Sequence, residues 1–249
     1  MSSEKITFFD LTSQQGTAWS LNPWRIRLLL NYKGVDYETK WVEYPEIKQT
    51  LEGHVAPNEI PPGAVYDPLY TIPAIKFPDG TYVMQSRPIA EAINERYPEP
   101  PIDLTPPILD KLVQSISKIM GAIQPIFFTL VPQRILNNAS HEHWYRTRPV
   151  YAGMPLDQFW NEKGGEVAWK AAEPHIRDIT AMLKENPEGP FFDGKTVTYA
   201  DFYWTGFLLF LHHMGKEDVF DELLKRSGDE KVHLEHLKAA EAWTKRDDH

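Results

Sequence analysis

Apolar positions fall into two regimes along this chain, short runs over roughly the first hundred residues and long helical faces after them. Ile6-Thr7-Phe8-Phe9-Asp10 is a compact apolar run of strand length. Asn22-Pro23-Trp24 reads as a helix start, with Asn22 as cap and a proline at the first helical position, where a missing N–H costs nothing. Leu28, Leu29 and Leu30 furnish its apolar face, and Lys33-Gly34 ends it with a basic last turn and a left-handed terminator. Tyr37 to Val42 alternates as a second strand, Ala74 to Phe77 and Thr81 to Met84 form a hairpin around Pro78-Asp79-Gly80, and an apolar-periodic helix runs from Arg87 to Tyr97. The order βαβ…ββα predicts a small mixed sheet flanked by helices, with the first helix N-terminus at its carboxyl edge.

The pattern changes in two places. Between Glu43 and Tyr70 a long segment carries Pro45, Pro57, Pro61-Pro62-Gly63 and Pro68, more than a plain connection needs, and it reads as an inserted lid or binding element or as a surface insertion. Ala64-Val65-Tyr66 alternates like a strand of an extra hairpin. Pro98-Glu99-Pro100-Pro101 and Pro106-Pro107 then make a stiff linker, and strands give way to helical periodicity. Ile108 to about Leu136 reads as one helical stretch bent at Pro125, and Glu166 to about Lys184 as another interrupted near Pro174. The connector from His141 to Gly164 holds Trp144, Tyr145, Tyr151, Phe159 and Trp160, too aromatic for a solvated tether, so part of it packs or lines a pocket. In Val197-Thr198-Tyr199-Ala200-Asp201-Phe202, Thr198 and Asp201 have capping-box spacing before a buried helix that runs to Met214.

At 249 residues with 42% hydrophobic content the chain supports two domains, an α/β unit over residues 1–98 with the insertion at about 43–70, and an all-helical unit over 108–249. A net charge of -9 argues against nucleic acid or an anionic membrane face as partner. Met1-Ser2-Ser3-Glu4-Lys5-Ile6 lacks the basic start and apolar core of a signal peptide, and no apolar run reaches spanning length, so a soluble, cytoplasmic protein is expected and the Asn138-Ala139-Ser140 acceptor match is read as chance. No cysteine is present, which removes disulfides, thiolate nucleophiles and cysteine-ligated metals, so thiol chemistry needs a bound thiol. His141-x-His143 and His212-His213 lack supporting carboxylates at ligand spacing, and no metal is expected.

Two features point to a ligand. Ile72-Pro73 stands at the mouth of the third strand, where a cis bond would turn the backbone groups of Ile72 outward to pair with a peptide. Gln85-Ser86 closes the fourth strand and opens the next helix, leaving N–H groups and a hydroxyl for an anion. Together they read as a clamp for a small peptide with a carboxylate.

With these residues and the Thr198-x-x-Asp201 box, the chain resembles a cytosolic glutathione transferase over nearly its whole length, with a thioredoxin-like first domain and an all-α second domain. Ser20-Leu21-Asn22-Pro23-Trp24-Arg25 is similar to the start of serine-type members, and Asn22 stands where the zeta class has cysteine, which argues against isomerase-type chemistry. With the proline-rich insertion, the motif looks most like the fungal-specific transferases of basidiomycetes that resemble bacterial lignin β-etherases.

The resemblance implies a glutathione transferase with Ser20 stabilising the glutathione thiolate for conjugation, thiolysis, or ether or peroxide cleavage, Gln85 and Ser86 on the γ-glutamyl end and the Ile72 backbone, beside Pro73, on the cysteinyl unit. Thr17 and Ser13 are rival hydroxyls, but only Ser20 lies four residues before Trp24 as the family pattern requires. Asn22 reads as a cap or as a second amide donor near the sulfur. Lys48 and His54 on the insertion are candidates for the glycyl carboxylate, or solvated surface residues. Small hydrophobic aromatic molecules are the implied second substrates, with detoxification as the role. The alternative is a ligandin that sequesters such compounds with little turnover. Because the insertion lies where ordinary transferases build part of their dimer contact, the resemblance also implies a homodimer with an altered interface, or a lid over glutathione.

Overall fold

A computed structural model describes residues 5–60 and 68–248. Strand β1 (Ile6–Leu11) pairs in parallel with β2 (Tyr37–Val42) and antiparallel with β3 (Ala74–Lys76), which pairs antiparallel with β4 (Tyr82–Met84), giving a four-stranded sheet of order β2-β1-β3-β4. A central strand is covered on both faces, which is why β1 reads as a continuous apolar run rather than an alternating one. The expected hairpin turns at Gly80, whose φ of 86° lies in the left-handed region that glycine adopts without cost. The Ala64 to Tyr66 strand reading lies outside the described residues.

Helix α1 (Leu21–Tyr32) begins one residue before the expected cap: Ser20, in extended conformation, is the N-cap, and Asn22 sits within the first turn. The proline misplaced the start. The first backbone bond runs from the Trp24 N–H to the Ser20 carbonyl at 3.0 Å, so Pro23, like every earlier position of the turn, has no N–H obligation to meet. At the other end Gly34, at φ 63°, ends the helix as expected. Arg27 reaches from α1 under the sheet to Asp10 of β1 at 2.9 Å, both side chains fully buried, and Thr39 accepts a second bond from the same guanidinium nitrogen at 3.1 Å.

The insertion opens with a 3₁₀ turn (Tyr44–Glu46) and the short helix α2 (Ile47–Leu51), and after β4 the chain enters α3 (Ser86–Arg96). The helical half is α4 (Leu109–Ala122), α5 (Gln124–Arg134), α6 (Asn138–Ala152), α7 (Leu156–Lys163), α8 (Gly165–Lys184), α9 (Tyr199–Met214), a π-helical turn (Lys216–Phe220), α10 (Asp221–Arg226), α11 (Glu230–Ala239) and α12 (Glu241–Thr244). The fold is thus a thioredoxin-like α/β unit followed by an all-helical one.

Three elements differ from expectation. The expected bend is a full break of 73° between α4 and α5 at Ile123, with Pro125 inside the first turn of α5. Pro174 does not interrupt α8, because it removes a single backbone bond while Ala168, Ala172, Ile176 and Ile179 bury one continuous face. The aromatic connector is itself α6 and α7, with Trp144 and Phe159 buried. The capping box opens α9: Thr198 donates its backbone N–H to the Asp201 carboxylate at 2.7 Å, and the Phe192 N–H meets the other oxygen at 3.0 Å. Among the described residues no single helix is long and apolar enough to cross a membrane, and no cluster of metal-ligating side chains is assembled.

Candidate functional site

Ser20 stands at the seam of two adjoining cavities. One, of about 540 Å³, is the more polar of the two and lies between α1, the insertion and α6; Ser20, Asn22, Lys48, Ile72, Arg146 and Arg148 are among its walls. The other, of about 290 Å³, is the more apolar, with Trp19, Met120, Phe127, Trp144 and Phe210 in its lining. Both share Ser20, Asn22, Tyr44, Arg148 and Tyr151. The Ser20 side chain makes no capping hydrogen bond, so its hydroxyl is not spent on the first turn of α1. Early N–H groups of that turn have no intrahelical acceptor and give the helix end its positive potential.

The Ile72–Pro73 bond is cis, and neither backbone group of Ile72 has a hydrogen-bond partner among the described residues. The Pro73 carbonyl accepts the Gln85 N–H at 3.1 Å, which locks the two halves of the sequence pattern together. Gln85 precedes α3 at φ 74°, the one non-glycine residue in the left-handed region among those described, a conformation that persists only where the surroundings impose it. Its side-chain amide donates to Oδ1 of Asn58 at 2.6 Å, and Asn58 also holds the Pro68 carbonyl at 2.9 Å. Ser86 opens α3, and its carbonyl accepts the Tyr199 hydroxyl at 3.3 Å.

The structure therefore gathers Ser20, Asn22, Lys48 and Ile72 around the polar cavity and sets Pro73, Gln85 and Ser86 outside both linings, coupled to the site through the backbone. Lys48 is exposed and pairs with Glu52 at 3.5 Å. His54 joins neither lining; it stacks on Tyr82 of β4, ring centroids 4.4 Å apart.

Sequence reasoning missed Tyr44, Arg148 and Asn58. Tyr44 is reached through the turn that follows β2: Glu43 accepts from Asn137 at 2.8 Å and from the Ser140 hydroxyl, while Ser140 accepts the Tyr44 N–H at 3.0 Å. Ser140, which completes the Asn138-Ala139-Ser140 pattern, is thus a buried pin between the insertion and α6. Tyr44 stacks on His143 at 5.5 Å, and burial raises its hydroxyl pKa against the opposing charge of Arg148. His143 is held below the ordinary imidazole value, by burial first and then by Arg148 and Arg146, so it is neutral at neutral pH. The lining of neither cavity includes a carboxylate among the described residues, although the whole chain carries a net charge of -9.

Comparison with known proteins matches this arrangement. Residues 19–96 fit the glutathione S-transferase N-terminal domain and residues 111–230 the glutathione S-transferase C-terminal domain. The glutathione S-transferase-like protein ustS of Aspergillus flavus is 31% identical over 228 residues, covering 84% of this chain and 81% of the relative. Among solved structures, glutathione transferase GSTFuA3 of Phanerochaete chrysosporium superposes with a TM-score of 0.79 at 27% identity, over 97% of this chain and 98% of that one. A glutathione S-transferase of Ceriporiopsis subvermispora, solved in complex with glutathione, gives 0.78 at 28% identity, over 96% and 98%. With both domain matches in chain order and a relative aligned across most of both sequences, the chain belongs to the glutathione S-transferase family.

Proposed function

We propose that this transferase holds glutathione in the polar cavity and uses the Ser20 hydroxyl to stabilise its thiolate for attack on hydrophobic aromatic electrophiles in the apolar one. The observation that carries the reading is the position of Ser20: an N-cap residue whose side chain makes no capping bond, at the seam of the two cavities. A free thiol has a pKa of about 8.5, so a small fraction is nucleophilic at neutral pH. Lowering it by about two units takes roughly 2.7 kcal/mol of differential stabilisation. A hydroxyl donating to the sulfur anion and the positive end of α1 supply that between them.

The residues around the cavity suit glutathione. Unpartnered backbone groups at Ile72 match the peptide unit, and Lys48 and Arg146 suit its carboxylates. Asn22, in the first turn beside Ser20, offers a second polar group to the sulfur. The thiol proton leaves to solvent, the thiolate forms a bond to the electrophilic centre, and the leaving group departs with the electron pair, which covers conjugation, thiolysis and ether cleavage alike.

The test is Ser20→Ala. The pKa of bound glutathione, followed by thiolate ultraviolet absorbance, should climb from about 6.5 toward 8.5, with kcat/KM dropping about 25-fold at pH 7 and about 100-fold near pH 5 for that shift. Unchanged rates would sink the assignment of Ser20, whereas wild type that binds glutathione and aromatic ligands without turnover above the uncatalysed reaction would leave a binding protein.

A further inference from the structure

Arg148 occupies an unusual position. It is the one charged side chain in the described lining of the apolar cavity, and it also reaches the polar one. Its guanidinium lies 4.0 Å from the Trp144 ring centroid, 5.2 Å from Tyr44 and 5.5 Å from Tyr151, so aromatic rings cover its faces. Along its edge, Nη1 donates to the Thr147 hydroxyl at 2.9 Å and the guanidinium also hydrogen bonds the Tyr44 hydroxyl, both neutral partners. No carboxylate pairs with it among the described residues, and none lines either cavity. A guanidinium can be buried against rings, but its edge donors seek an anion, and a neutral ligand closing over them leaves a desolvated charge without compensation. Lys48 and Arg146, which line the polar cavity alone, are available to the two carboxylates of glutathione, whereas Arg148 lines both cavities and is the cation that the apolar one contains.

We propose that Arg148 selects aromatic electrophiles that carry a carboxylate, binding the acid group at the junction of the two cavities while the ring lies in the apolar one. The inference rests on the reading of Ser20 above and adds the class of second substrate. The ring is held by Phe127, Trp144 and Phe210, and a bidentate guanidinium–carboxylate contact fixes its orientation toward the sulfur.

The experiment uses the full chain as wild type, Arg148→Met and Arg148→Lys, with the neutral electrophile chlorodinitrobenzene and its ring carboxylate chlorodinitrobenzoate. In either, the sulfur–carbon bond forms as carbon–chlorine breaks, chloride taking the electron pair and the thiol proton passing to water. Wild type should prefer the carboxylate. Arg148→Met should lower the carboxylate-to-neutral ratio of kcat/KM roughly 30-fold, through KM for the acid, and Arg148→Lys should restore part of it. A purely structural role would move both substrates together and leave the ratio fixed. In parallel, calorimetry compares binding of the two glutathione conjugates, and the same loss of preference for the carboxylated one is expected. Absence of turnover with both electrophiles would count against the Ser20 mechanism, while the conjugate ratio still decides the role of Arg148. An unchanged ratio, or a variant that loses affinity for glutathione itself while keeping the carboxylate preference, overturns the inference.

Discussion

The two cavities that meet at Ser20 recognise in different ways. The polar one is edged by chain turns and a helix start, Ile72 before β3, Tyr44 after β2 and Ser20 at the head of α1, while Gln85 at the head of α3 is tied to it from outside the lining through the Pro73 carbonyl. It offers main-chain groups and long cationic side chains. The apolar one is made of ring faces from four separate places, Trp19 ahead of α1, Phe127 on α5, Trp144 on α6 and Phe210 on α9. Main-chain recognition survives most side-chain substitutions, whereas a wall of converging rings changes shape with each one. One protein can thus keep a fixed thiol partner and still vary the compound it attacks. The scaffolds differ as well. In the sheet beneath the polar side lies a buried charged pair, Asp10 with Arg27, and in the helical half lie two buried histidines, His233 and His236, whose pKa values burial lowers.

The sharpest way to break the comparison is to strike the scaffold of the polar side. Asp10→Ala leaves the Arg27 guanidinium, fully buried, without its carboxylate, and removes the acceptor of the Leu11 N–H at 2.7 Å. Loss of one partner of such a pair costs about 3–5 kcal/mol, so urea unfolding should shift by that amount, with glutathione binding lost before the helical half melts. Coincident loss of both signals would show that the two halves stand on one support.

Acid should strike the other half. His233 accepts the Trp204 indole N–H at Nδ1, 3.1 Å away, and its Nε2 lies 2.8 Å from the Thr180 hydroxyl, which fixes a neutral ring with the proton on Nε2. Burial, reinforced by His236, holds its pKa down to about 3. Since the unfolded chain protonates this imidazole near pH 6.5 and the folded chain resists, stability is fully present above about pH 6.5 and is lost as pH falls toward the folded value. Between pH 6.5 and 5 the loss from this one group is about 1.6 kcal/mol. Urea midpoints of wild type and His233→Gln across that window check it: the variant should start less stable and fall less steeply, by about one proton. Parallel slopes would remove His233 from the account.

Legibility in the sequence follows the same division. The four described strands and the Gly80 turn are local, each set by a few neighbouring residues, and they stand within a residue of where they are expected. Pro23 misled by two places because the whole first turn of a helix tolerates a residue without an N–H, so a proline marks a start only to within that turn. Pro174 misled because the burial along α8 that outweighs its missing bond is supplied by distant residues. Tyr44 and Arg148 were invisible for a related reason. They are neighbours only because Glu43 and Ser140, 97 positions apart, hydrogen bond across the halves.

Asn58 gives the smallest expected effect and the finest test of main-chain recognition. It lies on the described part of the insertion, where its own N–H meets the Leu69 carbonyl at 2.7 Å, its amide nitrogen holds the Pro68 carbonyl, and its oxygen accepts from Gln85 at 2.6 Å. It therefore ties residues 58 and 68–69 of the insertion to the side chain of the one described non-glycine residue held in the left-handed region. If the clamp works through main-chain groups that this tether keeps in place, Asn58→Ala should weaken glutathione about fivefold, the equivalent of one ordinary hydrogen bond at about 1 kcal/mol, and leave selectivity among electrophiles untouched. Calorimetric titration of glutathione decides it. Tighter binding in the variant would mean that Asn58 competes with glutathione for the Gln85 amide, and the polar cavity would then depend on side chains as much as the apolar one does.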